Sequence, residues 1–255
     1  MDKRGKKQDI DIILVAVTLA IFSVIMARHR LLEYASNEYY IIRGRDILNV
    51  IFMTNDFKHY PYLDRSDMSV WISIFSFYIL GLIFLNYSFL SKSGEYYCLI
   101  YSRVESKKNA VKFMKKNNQK KTICYACVYS LACYLGMIIC LNFITDKTDS
   151  GDDRLFMELI LHTIVLVLML TLLQRIILFV YVKLNGVYAF MIGVVVIAIV
   201  LILDMQMKGW SIILFSSNYL YIDSIGLLGT IHMIWYLIEN KFLYNQLPYD
   251  GGNEK

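Results

Sequence analysis

Apolar positions along this chain fall in long blocks instead of alternating. Six segments, roughly 10–27, 69–90, 122–144, 155–181, 187–206 and 222–238, are almost continuously apolar. Each comes close to the about 20 residues that a helix needs to cross the hydrocarbon core of a bilayer. Only helices and closed barrels satisfy every main-chain polar group in lipid, so blocks of this length predict helices. The expected fold is an all-α integral membrane protein with six transmembrane helices, forming one transmembrane domain over residues 1–255.

Composition supports that reading over a soluble one. The 255 residues are 57% hydrophobic, the mean hydropathy is +0.48 and there are only two prolines. The opening Met1-Asp-Lys-Arg-Gly-Lys-Lys, followed by an apolar run to about Ala27, has the outline of a secretory signal. It lacks a convincing small-residue cleavage site, so it reads as an uncleaved first span. Richness in Ile, Tyr, Lys and Asn points to an AT-rich bacterial genome and hence to a bacterial cell membrane.

Charge orients the spans. Residues 91–121 hold nine cations against two anions, a net +7 in a chain whose total is only +5. Lys and Arg near span ends are retained on the cytoplasmic side. Lys3, Arg4, Lys6 and Lys7 therefore place the N-terminus inside, and the 91–121 loop returns to the same side. Residues 146–154, with Asp146, Asp149, Asp152 and Asp153 against Lys147 and Arg154, belong outside. Lys183 is inside again, with Arg175 able to snorkel toward it, and an even number of spans brings the C-terminus inside as well.

Two outer segments are not short connections. Residues 28–68 carry six cations and six anions, many tyrosines and the apolar patch Ile47–Met53, which suggests a small, partly helical extracellular cap. Residues 209–221 are too apolar for a free loop and too short to span. They suit a re-entrant hairpin with Trp210, Tyr219 and Tyr221 at headgroup depth. The alternative is a sixth span that begins earlier and tilts.

Catalytic motifs are sparse. There is no phosphate-binding loop, no HExxH, no GxSxG and no paired-glutamate motif, so ATP hydrolysis within this chain is not expected. Glu158 and His162 are four apart on one helical face, too few ligands for a zinc site, and read as a hydrogen-bonded structural pair. Four of the five cysteines, Cys124, Cys127, Cys133 and Cys140, share the third block. At about 100° per residue Cys124 and Cys127 lie on one face and the other two roughly opposite, which suits packing better than a metal. Of the polar residues inside the blocks, Asn86, Asn142, Gln174, Asp204 and His232, the best candidates for a path or a dimer seam are Asn86 and His232. Asp204 and Asp223 flank the hairpin, where interfacial solvation accounts for them.

Within the basic loop, Tyr97, Ile100, Tyr101 and Val104 recur at helical spacing as one apolar stripe, beside Arg103 and Glu105. Ser106 is positioned to cap a second helix, with Val111 and Met114 on its apolar side. Lys107, Lys108, Lys112, Lys115 and Lys116 would face the inner leaflet, each contributing about 1 kcal/mol near anionic lipid. A helix lying on the membrane surface accounts for the lysines, but less well for the two tyrosines beside Arg103 and Glu105.

The layout, together with the segment Glu95-Tyr-Tyr-Cys-Leu-Ile-Tyr-Ser-Arg-Val-Glu-Ser-Lys-Lys, resembles the permease subunits of type-2 ATP-binding-cassette transporters, a group with many exporters of peptides, bacteriocins and antibiotics. The resemblance implies a coupling helix in which Tyr97, Ile100, Tyr101, Arg103, Val104 and Glu105 contact a separate cytosolic ATPase. ATP and Mg would bind in that partner, with no cofactor in this chain. It also implies a second copy or a related permease beside it, within the lipid bilayer, and no role for nucleic acid. The short segment before the first span and the extended 28–68 loop depart from the family pattern. A different reading is a non-transporting immunity or sensor-associated protein that binds a peptide through residues 28–68. An intramembrane enzyme is disfavoured by the missing motifs.

Overall fold

The computed structural model describes residues 3–38, 40–54, 56, 59–63, 71–91, 107–144, 153–183, 186–207, 211–215 and 221–242. Among them the regular elements are helices: α1 (Lys3–Glu38), α2 (Gly44–Phe52), α3 (Ile72–Ser91), α4 (Lys107–Ile144), α5 (Asp153–Lys183), α6 (Gly186–Gln206) and α7 (Tyr221–Phe242). Five of them contain a stretch long and apolar enough to cross a membrane: Ile10–Ser36, Lys115–Phe143, Arg154–Tyr181, Gly186–Gln206 and Tyr221–Lys241. In α3 the described side chains end at Asn86, and the apolar stretch they cover is Ile72–Asn86. The chain is a membrane-embedded, multi-pass helical protein.

Two boundaries differ from the sequence expectation. The first helix does not stop near Ala27 but runs to Glu38, taking eleven residues from the outer loop. No glycine or proline interrupts residues 6–43, and Arg30 at the extended end donates to the Tyr62 carbonyl at 2.9 Å. The basic segment after Ser106 is likewise no separate surface helix. It is the first part of α4, which continues without a break into the third apolar block. Residues 107–135 contain no helix breaker, and a segment coaxial with a span cannot also lie flat in the interface.

The core is organised around α5, which packs on α3, α4, α6 and α7, while α1 lies along α4. The face α1 turns inward is Ile12, Ala16, Leu19, Ala20, Ser23, Val24, Ala27 and Leu31, all at helical spacing and all buried. Lipid tails are as apolar as leucine, so burial adds little between spans and close packing of small residues does the joining. At the α1–α4 seam, a Cβ on Gly136 would lie 2.9 Å from Val24 Cγ2. Val24 branches at Cβ and has little freedom to retreat. Gly136→Val is therefore expected to destabilise the bundle by about 1–3 kcal/mol through overpacking, seen as a lower melting midpoint in detergent; an unchanged midpoint would show the seam to be looser than this.

The short helix α2 takes an unexpected position. Eight of its nine residues are buried, and it packs against α1, α3 and α4. Phe52 at its C-terminus meets Tyr129 edge-on at 5.7 Å, and Tyr129 lies fifteen residues from the end of α4, about 22 Å along the axis. The apolar patch Ile47–Met53 is thus a wedge dipping into the bundle and not a cap resting on it.

Candidate functional site

Two constellations carry the polar chemistry of the bundle, one at each end. At the basic end, Glu239 of α7 is 1% exposed and is ion-paired with Lys115 on the N-terminal part of α4. Its second oxygen accepts from Trp235 Nε1 at 3.1 Å, and the Trp235 ring meets Phe179 of α5 edge-on at 5.6 Å. A buried carboxylate survives in such a place only when paired and hydrogen-bonded, so α4, α5 and α7 are clasped together here. Lys112 and Lys116 are exposed. Lys107 and Lys108 are helical, and their side chains lie outside the described residues, as do Tyr97, Ile100, Tyr101, Arg103, Val104 and Glu105.

At the acidic end, residues 211–215 form a non-helical segment that is buried throughout. Because α7 starts at Tyr221, this stretch is separate from the last span. It is held by Asp204, the buried residue near the end of α6. The Asp204 carboxylate accepts from the main-chain N–H of Ile212 and from that of Ile213 at 2.7 Å, with Ser211 Oγ at 3.4 Å. Ser224 Oγ of α7 donates to the Ser211 carbonyl. Interfacial solvation therefore does not account for Asp204: it is 0% exposed and caps main-chain donors that have no helix or strand to satisfy them. Asp223, by contrast, is exposed.

The tip of this segment meets α2. The Phe215 N–H donates to the Met53 carbonyl at 2.7 Å, and the Phe52 and Phe215 rings stack at 6.0 Å. Met53, the residue just after α2, has φ 60°, ψ 146°, a conformation that costs a non-glycine residue on the order of 1–3 kcal/mol. His162 of α5 sits beneath the contact, with ring centroids 4.7 Å from Phe52, 5.4 Å from Phe215 and 5.9 Å from Tyr221. It is 0% exposed, and neither imidazole nitrogen has a hydrogen-bond partner among the described residues. The expected Glu158–His162 hydrogen bond is absent. Glu158 instead pairs with Arg45 at 2.6 Å and Arg154 at 3.3 Å, because α2 brings Arg45 over the N-terminal end of α5. Tyr221, expected at headgroup depth, is buried against His162 and Phe215.

The base of α2 is held by a second buried acid. Asp46 accepts from Tyr62 Oη at 2.8 Å, Tyr40 Oη at 3.2 Å and the Arg43 N–H at 2.7 Å. Burial pushes its carboxyl above the usual range, and those three donors oppose the shift. Burial beside Asp46 likewise raises the Tyr40 phenol, to about 12.

Of the two residues read as a path or seam, Asn86 is buried and donates to the Leu82 carbonyl of its own helix at 2.9 Å, leaving Oδ1 unpartnered among the described residues. His232 crosses to the Leu168 carbonyl of α5 at 2.9 Å. The structure does not bring these two together with either end site. Cys133 is buried and Cys127 exposed, in line with opposite faces of α4, and among the described residues no three His, Cys, Asp or Glu side chains are grouped for a metal. Sequence reasoning missed the Lys115–Glu239 clasp, for which a lone acid at the end of an apolar block was the available signal. It also missed the Asp46 cluster and the Met53–Phe215 junction, for which no local signal exists. A groove of about 410 Å³ runs between α1 and α3, lined by apolar side chains such as Leu14, Phe22, Leu80 and Phe84, with Thr18 and Ser76 as its polar members. No family model, curated protein or solved structure matches the chain.

Proposed function

We propose that this chain is the membrane subunit of an ATP-driven exporter that works with a separate cytosolic ATPase, with six spans and both termini cytoplasmic. The supporting observation is α4. Its 38 residues make a rod about 57 Å long, nearly twice the roughly 30 Å of a bilayer core. The surplus lies at its basic end, continuous with the span and clasped to α7 through Lys115 and Glu239. Force applied to that extension is delivered to the bundle without an intervening hinge. The segment Tyr97–Glu105 precedes this rod in the sequence and is the proposed point of contact with the ATPase. A second copy or a related permease would complete the path.

The apolar groove between α1 and α3 favours an amphipathic peptide or a lipid-like or antibiotic cargo over an ion. The rival reading, a non-transporting protein that captures a peptide on residues 28–68, is weakened because the apolar residues of α2 are already buried against the spans. Affinity purification in mild detergent should bring down a nucleotide-binding ATPase. Tyr101→Ala with Arg103→Ala should abolish that association while leaving membrane insertion intact. Association unchanged in the double variant would remove the coupling role from this segment, and no ATPase in the wild-type eluate would remove the transport reading.

A further inference from the structure

The contact between α2 and residues 211–215 joins two parts of the molecule that share α5 as a common neighbour, through Glu158 and His162, and are otherwise held by different helices. The 211–215 segment belongs to α6 and α7, through Asp204 and Ser224. Helix α2 belongs to α1, α3 and α4, with its base fixed through Asp46 to Tyr40 and Tyr62 and its Arg45 paired to Glu158. Between them run one main-chain hydrogen bond, Phe215 to Met53, and the stacked rings of Phe52 and Phe215.

That junction is poorly satisfied where it closes. Met53 is held at positive φ, and His162 is enclosed by aromatic rings with both nitrogens unpartnered among the described residues. Buried polar groups are nearly always hydrogen-bonded, and exceptions mark strain or function. Parting of the junction would relieve Met53 and give His162 access to water, whereas the Asp204 and Asp46 anchors on either side are already complete. The closed arrangement is therefore set against an alternative that lies a small movement away, as a two-state element requires.

We propose that α2 and residues 211–215 form a latch across the acidic end of the bundle, and that His162 is its positioning residue, destabilising the closed state so that the latch opens. Tyr129, which edges Phe52, stands on α4. The same rod that carries the basic clasp thus reaches the latch. The purpose of the latch rests on the transport reading; its test does not.

Cys133 lies one turn beyond Tyr129 on α4 and is wholly buried in the closed state, so it reports opening. With Cys98, Cys124, Cys127 and Cys140 replaced by serine, a small cationic methanethiosulfonate is applied to the purified protein without any ATPase. The parent should label slowly but measurably. Phe215→Ala should label about tenfold faster. His162→Phe replaces the imidazole with a somewhat larger ring that has no polar atoms; it should label at least threefold more slowly and melt at a higher temperature. A structural imidazole would give the reverse: a lower midpoint and faster labelling. No labelling of the parent, no acceleration in Phe215→Ala, or less than threefold slowing in His162→Phe overturns the latch. His162→Leu is the second variant, and failure of both to fold also overturns it. If the latch behaves as stated but no ATPase co-purifies, the transport reading alone falls.

Discussion

Asp204→Ala is expected to be among the most destabilising single substitutions in this protein. The carboxylate is fully buried and receives two main-chain N–H groups from a segment with no regular structure of its own. Removing it orphans both donors, and each buried unsatisfied donor costs about 1–3 kcal/mol. The loss should be about 2–6 kcal/mol, read as a marked fall in the melting midpoint in detergent and as new protease sensitivity around residues 208–220. Asp204→Asn keeps one acceptor oxygen and should fall between parent and alanine variant. Ser211 also bonds within the segment, accepting from the Leu214 N–H at 2.8 Å, so Ser211→Ala should add to Asp204→Asn more than to Asp204→Ala. If the alanine variant melts with the parent, Asp204 is not what holds the segment in the bundle.

Lys115→Ala should cost a similar amount at the opposite end for a different reason. Glu239 is 1% exposed, and its counter-charge comes from Lys115 on the long rod of α4. Stripping one partner from a buried pair leaves an uncompensated charge, at about 3–5 kcal/mol. The double exchange Lys115→Glu with Glu239→Lys should recover much of that loss, whereas either exchange alone should not. A double-mutant cycle on melting midpoints measures the coupling directly; additive single effects would mean that the two residues do not act as a clasp. On the proposed transport reading, Lys115→Ala in a reconstituted complex should leave ATPase association intact and lower transport per ATP hydrolysed, because the clasp lies beyond the proposed docking segment.

The distance between what was legible and what was not is clearest at Asp204. Its presence near the end of an apolar block was plain, and solvation at the membrane surface was the natural reading. What it binds lies eight and nine residues onward in a segment that folds back, and no local pattern specifies that return. Glu158 and His162 teach the same lesson from the other side. Spacing of four puts them on one face, yet spacing cannot say that Arg45, more than a hundred residues earlier, arrives to take the glutamate. His162 is left in an aromatic cage instead.

By itself, the sequence determined the class of the protein, the approximate placement of its apolar helices and the concentration of positive charge in one segment, residues 91–121. These follow from length and hydropathy, which act residue by residue and need no partner. The continuity of α4 was also latent in it, since nothing between residues 107 and 135 breaks a helix. Only the tertiary structure decided that α2 enters the bundle, that residues 211–215 are held by Asp204, and that both meet above His162. Each is a long-range contact between segments whose own composition is compatible with several positions. In a bundle built of apolar spans, hydrophobicity alone does not choose among neighbours. The choice falls to close packing at small residues and to the few buried polar groups that must find partners.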